Sequence, residues 1–231
     1  LSVKNQFSKY AKEYKNHNII QQIVAKSLIR ELKYQPKRIL ELGCGSGQVF
    51  NHITWDIEFY KAIDFSSSMC ELHPKGENIE VKCFDFDTQE FLDEIKNNSY
   101  DIVLSSSALQ WSKDLSKIIK QLSLITNEIN AVLFTSNTFK TIQKITNTKS
   151  PILDENSIKE AFSKYFTCEF ETILYKLEFD NKKDLFDYIK KSGVSGGNAS
   201  LDFADAKKLY KDYDLNYLEF EVIFVKTISK L

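Results

Sequence analysis

Ile39-Leu40-Glu41-Leu42-Gly43-Cys44-Gly45-Ser46-Gly47 is the stretch that decides how this chain folds. An apolar run ends there in three glycines spaced two apart. A strand that empties into a glycine-rich turn and then a helix is how an α/β sheet receives a small charged cofactor. Asp64 follows 17 residues after Gly47 and closes the next apolar run, Phe59-Tyr60-Lys61-Ala62-Ile63. An acid at that place can accept from both hydroxyls of a ribose. Together the two segments point to a nucleoside-containing ligand.

Strand and helix patterns alternate outward from this turn. Phe7, Tyr10, Ala11 and Tyr14 recur at i, i+3, i+4 and i+7, and the same period runs on through Ile20, Val24 and Leu28. This predicts a helical cover over residues 1–35, ended by Pro36. Strands are expected at 38–42, 58–63, 79–84, 100–105 and 131–135. The intervening helices start near Ser46, after Ser66, and at the caps Thr88 and Asp114. That alternation gives a doubly wound, mostly parallel sheet. After residue 150 the pattern changes to a helix at 154–166, a strand at 168–179, helices at 183–191 and 203–213, and a period-two run at 217–225. The last two strands are expected to close a seven-stranded sheet as an antiparallel edge hairpin, with the helices of about 182–213 inserted as a lid. The whole is one domain, with its cofactor core at 37–135.

Composition narrows the function classes. Of 231 residues, 42% are hydrophobic and 27% charged, with a net charge of −1. No run approaches the roughly 20 apolar residues of a membrane span, and residues 1–6 carry no apolar leader, so a cytoplasmic protein is expected. The near-neutral balance argues against general nucleic-acid binding. Cys44, Cys70, Cys83 and Cys168 show no metal spacing, and His17, His52 and His73 do not cluster, so no metal is expected. Arg30 and Arg38 are the only arginines. A bidentate fork on a substrate carboxylate is therefore not available from the second half of the chain.

The spacing of the glycines selects the cofactor. A dinucleotide fingerprint, G-x-G-x-x-G, sets a helix N-terminus against a pyrophosphate. Here the spacing is Gly43-x-Gly45-x-Gly47, and Glu41 stands two residues before the first glycine. That acid repels a pyrophosphate and suits a ligand with a cation, such as an α-amino group. S-adenosylmethionine carries one, with an adenosine and a sulfonium. The backbone of Gly43-Cys44-Gly45 would approach its amino-acid tail, and Asp64 its ribose. Asp85-Phe86 would supply a carboxylate for the adenine amino group and a ring beside it. Ser105-Ser106 would lie beside the methionine part. The plainer alternative is a simple turn flanked by solvated acids.

At this point residues 37–135 resemble the class I methyltransferases. Asp64-Phe65-Ser66 with Met69 is similar to their D-x-S-x-x-M element, in which the Met lies near the adenine. No Asp-Pro-Pro-Tyr type of motif and no Pro-Cys nucleophile is present, since Pro36, Pro74 and Pro151 stand alone. The turn Ser105-Ser106-Ser107-Ala108-Leu109-Gln110-Trp111 offers no general base, which favours an acceptor that is already nucleophilic. Phe7, Ala11, Tyr14, His17 and Gln21, the Ala108-Leu109-Gln110-Trp111 turn, Lys191-Ser192-Gly193-Val194, and Leu218-Glu219-Phe220-Glu221-Val222 resemble segments of the biotin-pathway malonyl-carrier-protein O-methyltransferases, the BioC family. Ser8-Lys9 departs from that family's usual Asp-Arg.

The resemblance implies methylation of the carboxylate of a malonyl thioester, carried by an acidic acyl carrier protein or by coenzyme A. A malonyl carboxylate is ionised at neutral pH, like Asp at ~3.9, so no base is required. It implies that Tyr14 closes over the cofactor and that Tyr10, His17, Gln110, Trp111 and Lys191 line the acyl pocket. Tyr10, Tyr14 and Trp111 also fit core aromatic roles, and His17 a surface one. The lysines at 4, 9, 12, 15, 190, 191, 207, 208 and 211 are either a docking surface for the carrier or solvated helix faces. Two other classes stay open: another small-molecule methyltransferase, acting on an aconitate-like carboxylate or a quinone ring carbon, and a non-catalytic S-adenosylmethionine-binding protein. Oligomeric state is not legible.

Overall fold

Short apolar runs in the first part of the chain and one long run of alternating burial near its end make seven strands, and they assemble into one sheet. The computed structural model describes residues 18–191 and 203–230. Its strands are β1 (Arg38–Leu42), β2 (Phe59–Asp64), β3 (Ile79–Cys83), β4 (Ile102–Ser106), β5 (Ile129–Phe134), β6 (Phe166–Glu178) and β7 (Tyr217–Lys230), in the order β3-β2-β1-β4-β5-β7-β6. The first five run parallel. β7 is antiparallel to both β5 and β6, so the expected edge hairpin is present and β7, not β6, joins it to the sheet. The chain leaves β1 toward β2 and returns beyond it to β4. This reversal opens a crevice at the carboxyl ends of β1 and β4, where α/β sheets bind ligands.

The central strands read as continuous apolar runs because both faces are covered. Ile39, Tyr60, Ala62, Ile102, Leu104 and Val132 face one core, shared with α1 (Ile19–Arg30). Leu40, Leu42, Ile63, Val103, Ala131 and Leu133 face the other. That second core is filled by Phe91 and Ile95 of α3 (Gln89–Ile95), by Leu115, Ile118, Ile119 and Leu122 of α4 (Leu115–Leu122), and by Ile158 and Phe162 of α6 (Glu155–Ser163). Ser66 caps α2 (Ser67–Leu72), and Thr88, Asp114 and Asp154 cap α3, α4 and α6. Each side chain accepts an amide three residues on.

Two features differ from the sequence expectation. The helix expected from Ser46 is a turn followed by a short 3-10 helix, Phe50–His52. Gly45 and Gly47 sit at φ 52° and 89°, a left-handed backbone that an α-helix cannot pass through. An additional helix, α5 (Lys140–Thr146), lies between left-handed Phe139 and Asn147, and it buries only Ile142 and Thr146, too few to show a period. The helices inserted between β6 and β7, as expected, are α7 (Lys182–Lys191) and α8 (Phe203–Asp212). Leu185 and Tyr188 of α7, Leu209 of α8 and Tyr213 beyond it belong to the first core.

Candidate active site

The turn after β1 is shaped by what surrounds each glycine. A Cβ on Gly43 (φ 73°) would lie 2.0 Å from the Cβ of Ala108, in the turn after β4. A Cβ on Gly47 would strike the Pro74 ring at 2.6 Å. Gly45 is different, since a Cβ there would meet nothing within 4 Å. Gly43 and Gly47 thus let neighbouring loops close on the turn, whereas Gly45 leaves a cradle. The amides of Gly43 and Cys44 donate to the Ile63 carbonyl at 2.7 and 3.1 Å, which ties the turn to the end of β2.

The cradle opens into a cleft of about 650 Å³, its mouth included. Two carboxylates form its floor. Asp64 Oδ2 accepts from the Gly45 amide at 2.9 Å and Oδ1 from the Ser66 amide at 2.8 Å. Burial pushes its pKa up to about 6, against the pull of those two amides, and the charge of Glu41 adds to the rise. Glu41 is 1% exposed and accepts a hydrogen bond from the Tyr60 hydroxyl. Burial first, then the Glu41 charge, hold that phenol well above its usual pKa. Cys44 also lines the cleft. A hydrogen bond with the free thiol of Cys70, its burial and the charges of Glu41 and Asp64 keep its thiol protonated, so it is no nucleophile.

Apolar walls flank the floor on one side, from Phe65, Met69 and Phe86. On the other side stands the turn after β4, with Ser106, Ser107, Ala108 and Trp111. Ser107 is left-handed at φ 60°. The hydroxyls of Ser106 and Ser107 are buried without a hydrogen-bond partner among the described residues. Gln110 is 2% exposed and donates from Nε2 to the Ser107 carbonyl at 2.8 Å, which braces the turn from behind.

Of the residues singled out in the sequence, Glu41, Gly43, Cys44, Gly45, Asp64, Phe65, Met69, Phe86, Ser106 and Trp111 come together on this cleft. Three others do not line it. Asp85 is exposed and accepts from the Asp87 amide at 3.0 Å. Ser105 is fully buried and donates to the Leu42 carbonyl at 2.9 Å, tying β4 to β1. Gln110 is the brace just described. Lys191 ends α7, with its side chain outside the described part, and Tyr10, Tyr14 and His17 lie outside the described residues. Sequence reasoning missed Ser46, Gln48, Val49 and Ser107 as lining residues, and gave Gln21 no role although its motif position signalled it. It also missed His73, whose ring packs behind the glycine turn. Among the described residues no group of His, Cys, Asp and Glu could hold a metal, and no helix is long and apolar enough to cross a membrane.

A ligand that fits this cleft needs a cation for Glu41, vicinal hydroxyls for Asp64, and a flat apolar part for Phe65, Met69 and Phe86. S-adenosylmethionine has all three. Comparison with known proteins agrees. Residues 40–127 match the family model described as a methyltransferase domain. A malonyl-[acyl-carrier protein] O-methyltransferase of Bacillus cereus is 24% identical over 220 residues, covering 85% of this chain and 81% of that one. One of Acetivibrio thermocellus is 30% identical over 124 residues, half of this chain and 42% of its own. Among solved structures, the YcgJ protein of Bacillus subtilis superposes with a TM-score of 0.65 at 12% identity, over 93% of this chain and all of that one. An S-adenosylmethionine-dependent methyltransferase of Thermotoga maritima gives 0.58 at 13%, over 97% and 99%. The domain match begins inside β1 and takes in the glycine turn and both floor carboxylates, and it supports an S-adenosylmethionine-dependent methyltransferase that is similar over most of its length to the malonyl-[acyl-carrier protein] O-methyltransferases.

Proposed function

We propose that the chain transfers a methyl group to the carboxylate of a malonyl thioester carried by acyl carrier protein. The carrying observation is where the ionisable groups lie. Every ionisable residue described on the cleft, Glu41, Cys44 and Asp64, belongs to the floor. The wall after β4 offers only hydroxyls, a methyl group and an indole. An acceptor that must lose a proton would need a base there. A malonyl carboxylate needs none.

Bound S-adenosylmethionine supplies an electrophilic methyl group on a sulfonium. The residues of the chain hold and orient. Glu41 takes the α-ammonium, Asp64 the ribose hydroxyls, and Phe65, Met69 and Phe86 the adenine. Ser106 and Ser107 give the wall its hydroxyls, and Trp111 excludes water from the acceptor path. Through the family resemblance Tyr14 is assigned to the cofactor, and Tyr10, His17 and Lys191 to the acyl side. Alignment and exclusion of water are effects worth up to ~7–11 kcal/mol in the barrier. The enzymes named malonyl-[acyl-carrier protein] O-methyltransferase support the thioester. The exposed Lys207, Lys208 and Lys211 of α8 suit an acidic carrier by electrostatic steering.

The test is methyl transfer from labelled S-adenosylmethionine to malonyl-acyl carrier protein, with malonyl-coenzyme A and aconitate in parallel. A base-labile methyl ester on the malonyl thioester is the expected product. Cofactor binding with no transfer to either thioester would overturn the proposal, and transfer to aconitate would name the acceptor class instead.

A further inference from the structure

Behind the glycine turn lies a titratable group that no step above uses. The His73 side chain is fully buried, between Phe50 at 5.5 Å and Tyr60 at 6.2 Å. A Cβ on Gly47 would come within 3.3 Å of its Cδ2. Its Nδ1 lies 2.8 Å from the Pro74 carbonyl, which can only accept, so Nδ1 carries a hydrogen. Its Nε2 lies 3.9 Å from Glu41 Oε2, has no hydrogen-bond partner among the described residues and is buried beyond the reach of water.

This arrangement limits the protonation states. A neutral ring would aim the Nε2 lone pair at a buried carboxylate, with no water between them to relieve the repulsion. A proton on Nε2 converts the same contact into an ion pair and gives Glu41 a counter-charge, without which a buried carboxylate is costly. We propose that His73 is the resident counter-ion of Glu41, doubly protonated in the free protein, and that arrival of the cofactor's α-ammonium at the carboxylate sends the Nε2 proton to solvent. The inference rests on the assignment of Glu41 to that ammonium. His73 is then a positioning residue, and cofactor binding is coupled to release of a proton.

The titratable groups around the ring are Glu41 of β1 and Tyr60 and Asp64 of β2, with Cys44 in the adjoining glycine turn and Lys75 further along its own loop. Tyr60 and Cys44 stay protonated, for the reasons given above. Lys75 is turned to the Cys70 carbonyl at 2.7 Å. Asp64 is the neighbour whose charge also changes near pH 6. Both groups favour binding as pH rises, so affinity alone does not separate them.

Nuclear magnetic resonance of the ring Cε1–H does separate them, because the chain has only three histidines. His73 is expected to show the shift of an imidazolium in the free protein at pH 6. S-adenosylhomocysteine, which carries the amino-acid tail, should move it to the neutral position, whereas 5′-methylthioadenosine, which lacks the tail, should not. In calorimetry, affinity for S-adenosylhomocysteine should rise with pH by up to about tenfold per unit for each proton released. His73→Gln should flatten that slope above pH 6 and keep the part due to Asp64. A neutral His73 in the free protein, or one indifferent to the tail, overturns the inference. Glu41→Gln tests the underlying assignment. Lost affinity with an unresponsive His73 sinks only the counter-ion role, whereas unchanged affinity removes Glu41 from the ammonium.

Discussion

The floor of the cleft and its wall are built on opposite terms. The floor carboxylates are held in place by the protein. Two amides fix Asp64, and Tyr60 and His73 meet Glu41. The wall after β4 holds its backbone through Gln110 and Ala108 but leaves the Ser106 and Ser107 hydroxyls without partners among the described residues. Buried polar atoms without partners are uncommon and call for an explanation, which a ligand group arriving at the wall would supply. On the proposed reading the floor recognises by charge, and the wall by shape and by a few hydroxyls.

The join between the two should be the most sensitive place. Gly43→Ala puts a Cβ 2.0 Å from Ala108 and strains a left-handed backbone, with an expected loss of about 3 kcal/mol or more in denaturant unfolding. Ala108→Gly in the same chain should recover the clash and leave the strain. Gly45→Ala, which meets nothing within 4 Å, should cost only about 1–2 kcal/mol in stability and act mainly on cofactor affinity. Equal losses at the two positions would mean that the join is no tighter than the cradle.

Asp64 gives the next largest effect, and it is specific to the floor. Asp64→Asn should weaken cofactor binding by about 1–3 kcal/mol in calorimetry at pH 8, through lost charged hydrogen bonds. The sign with pH follows from burial. The folded carboxyl titrates near 6, above its ordinary 3.8, so between these values the native state binds the extra proton. Its contribution to the stability of the ligand-free protein therefore falls as pH rises through that window. Cofactor affinity moves the other way, because the hydroxyls need the ionised form. A fall of about tenfold is expected from pH 8 to pH 5 in the Asp64 component, and the Asn variant should lack it.

Trp111 tests the wall. Trp111→Ala should lower kcat/KM for the acyl substrate by about 1–3 kcal/mol, in the range of a lost aromatic contact, with cofactor affinity nearly unchanged. Loss of both, together with loss of cooperative unfolding, would make Trp111 a core residue, since its ring also packs against the first core.

The unequal legibility of the sequence has the same origin. The floor was readable because its chemistry is local. Glu41, the glycines and Asp64 sit at strand ends, where spacing in sequence is position in space. Sheet class and the edge hairpin were readable from period alone, since Leu40 and Leu42 on one face and Ile39 on the other make β1 apolar throughout. The wall was harder to read. A serine beside a strand end can tie strands or face a ligand, and only the pleat of β4 decides. His73 was invisible for a related reason, because it reaches Glu41 across 32 residues of sequence and no motif contains both.

Ser105 and Ser106 make the finest test of the comparison, because they are neighbours in one strand and point to opposite faces. Ser105 donates a buried hydrogen bond to the Leu42 carbonyl and so belongs to the framework that carries the floor. Ser105→Ala should cost about 1 kcal/mol of stability and leave turnover per folded molecule unchanged. The Ser106 hydroxyl is buried on the cleft with no partner to lose among the described residues. Removing it should leave unfolding unchanged or slightly stabilised, while turnover falls, because an unsatisfied group costs stability until a ligand satisfies it. The two substitutions delete the same atom type one residue apart. If both shift stability alike and neither touches turnover, the wall is framework too, and recognition of the acceptor must come from elsewhere in the chain.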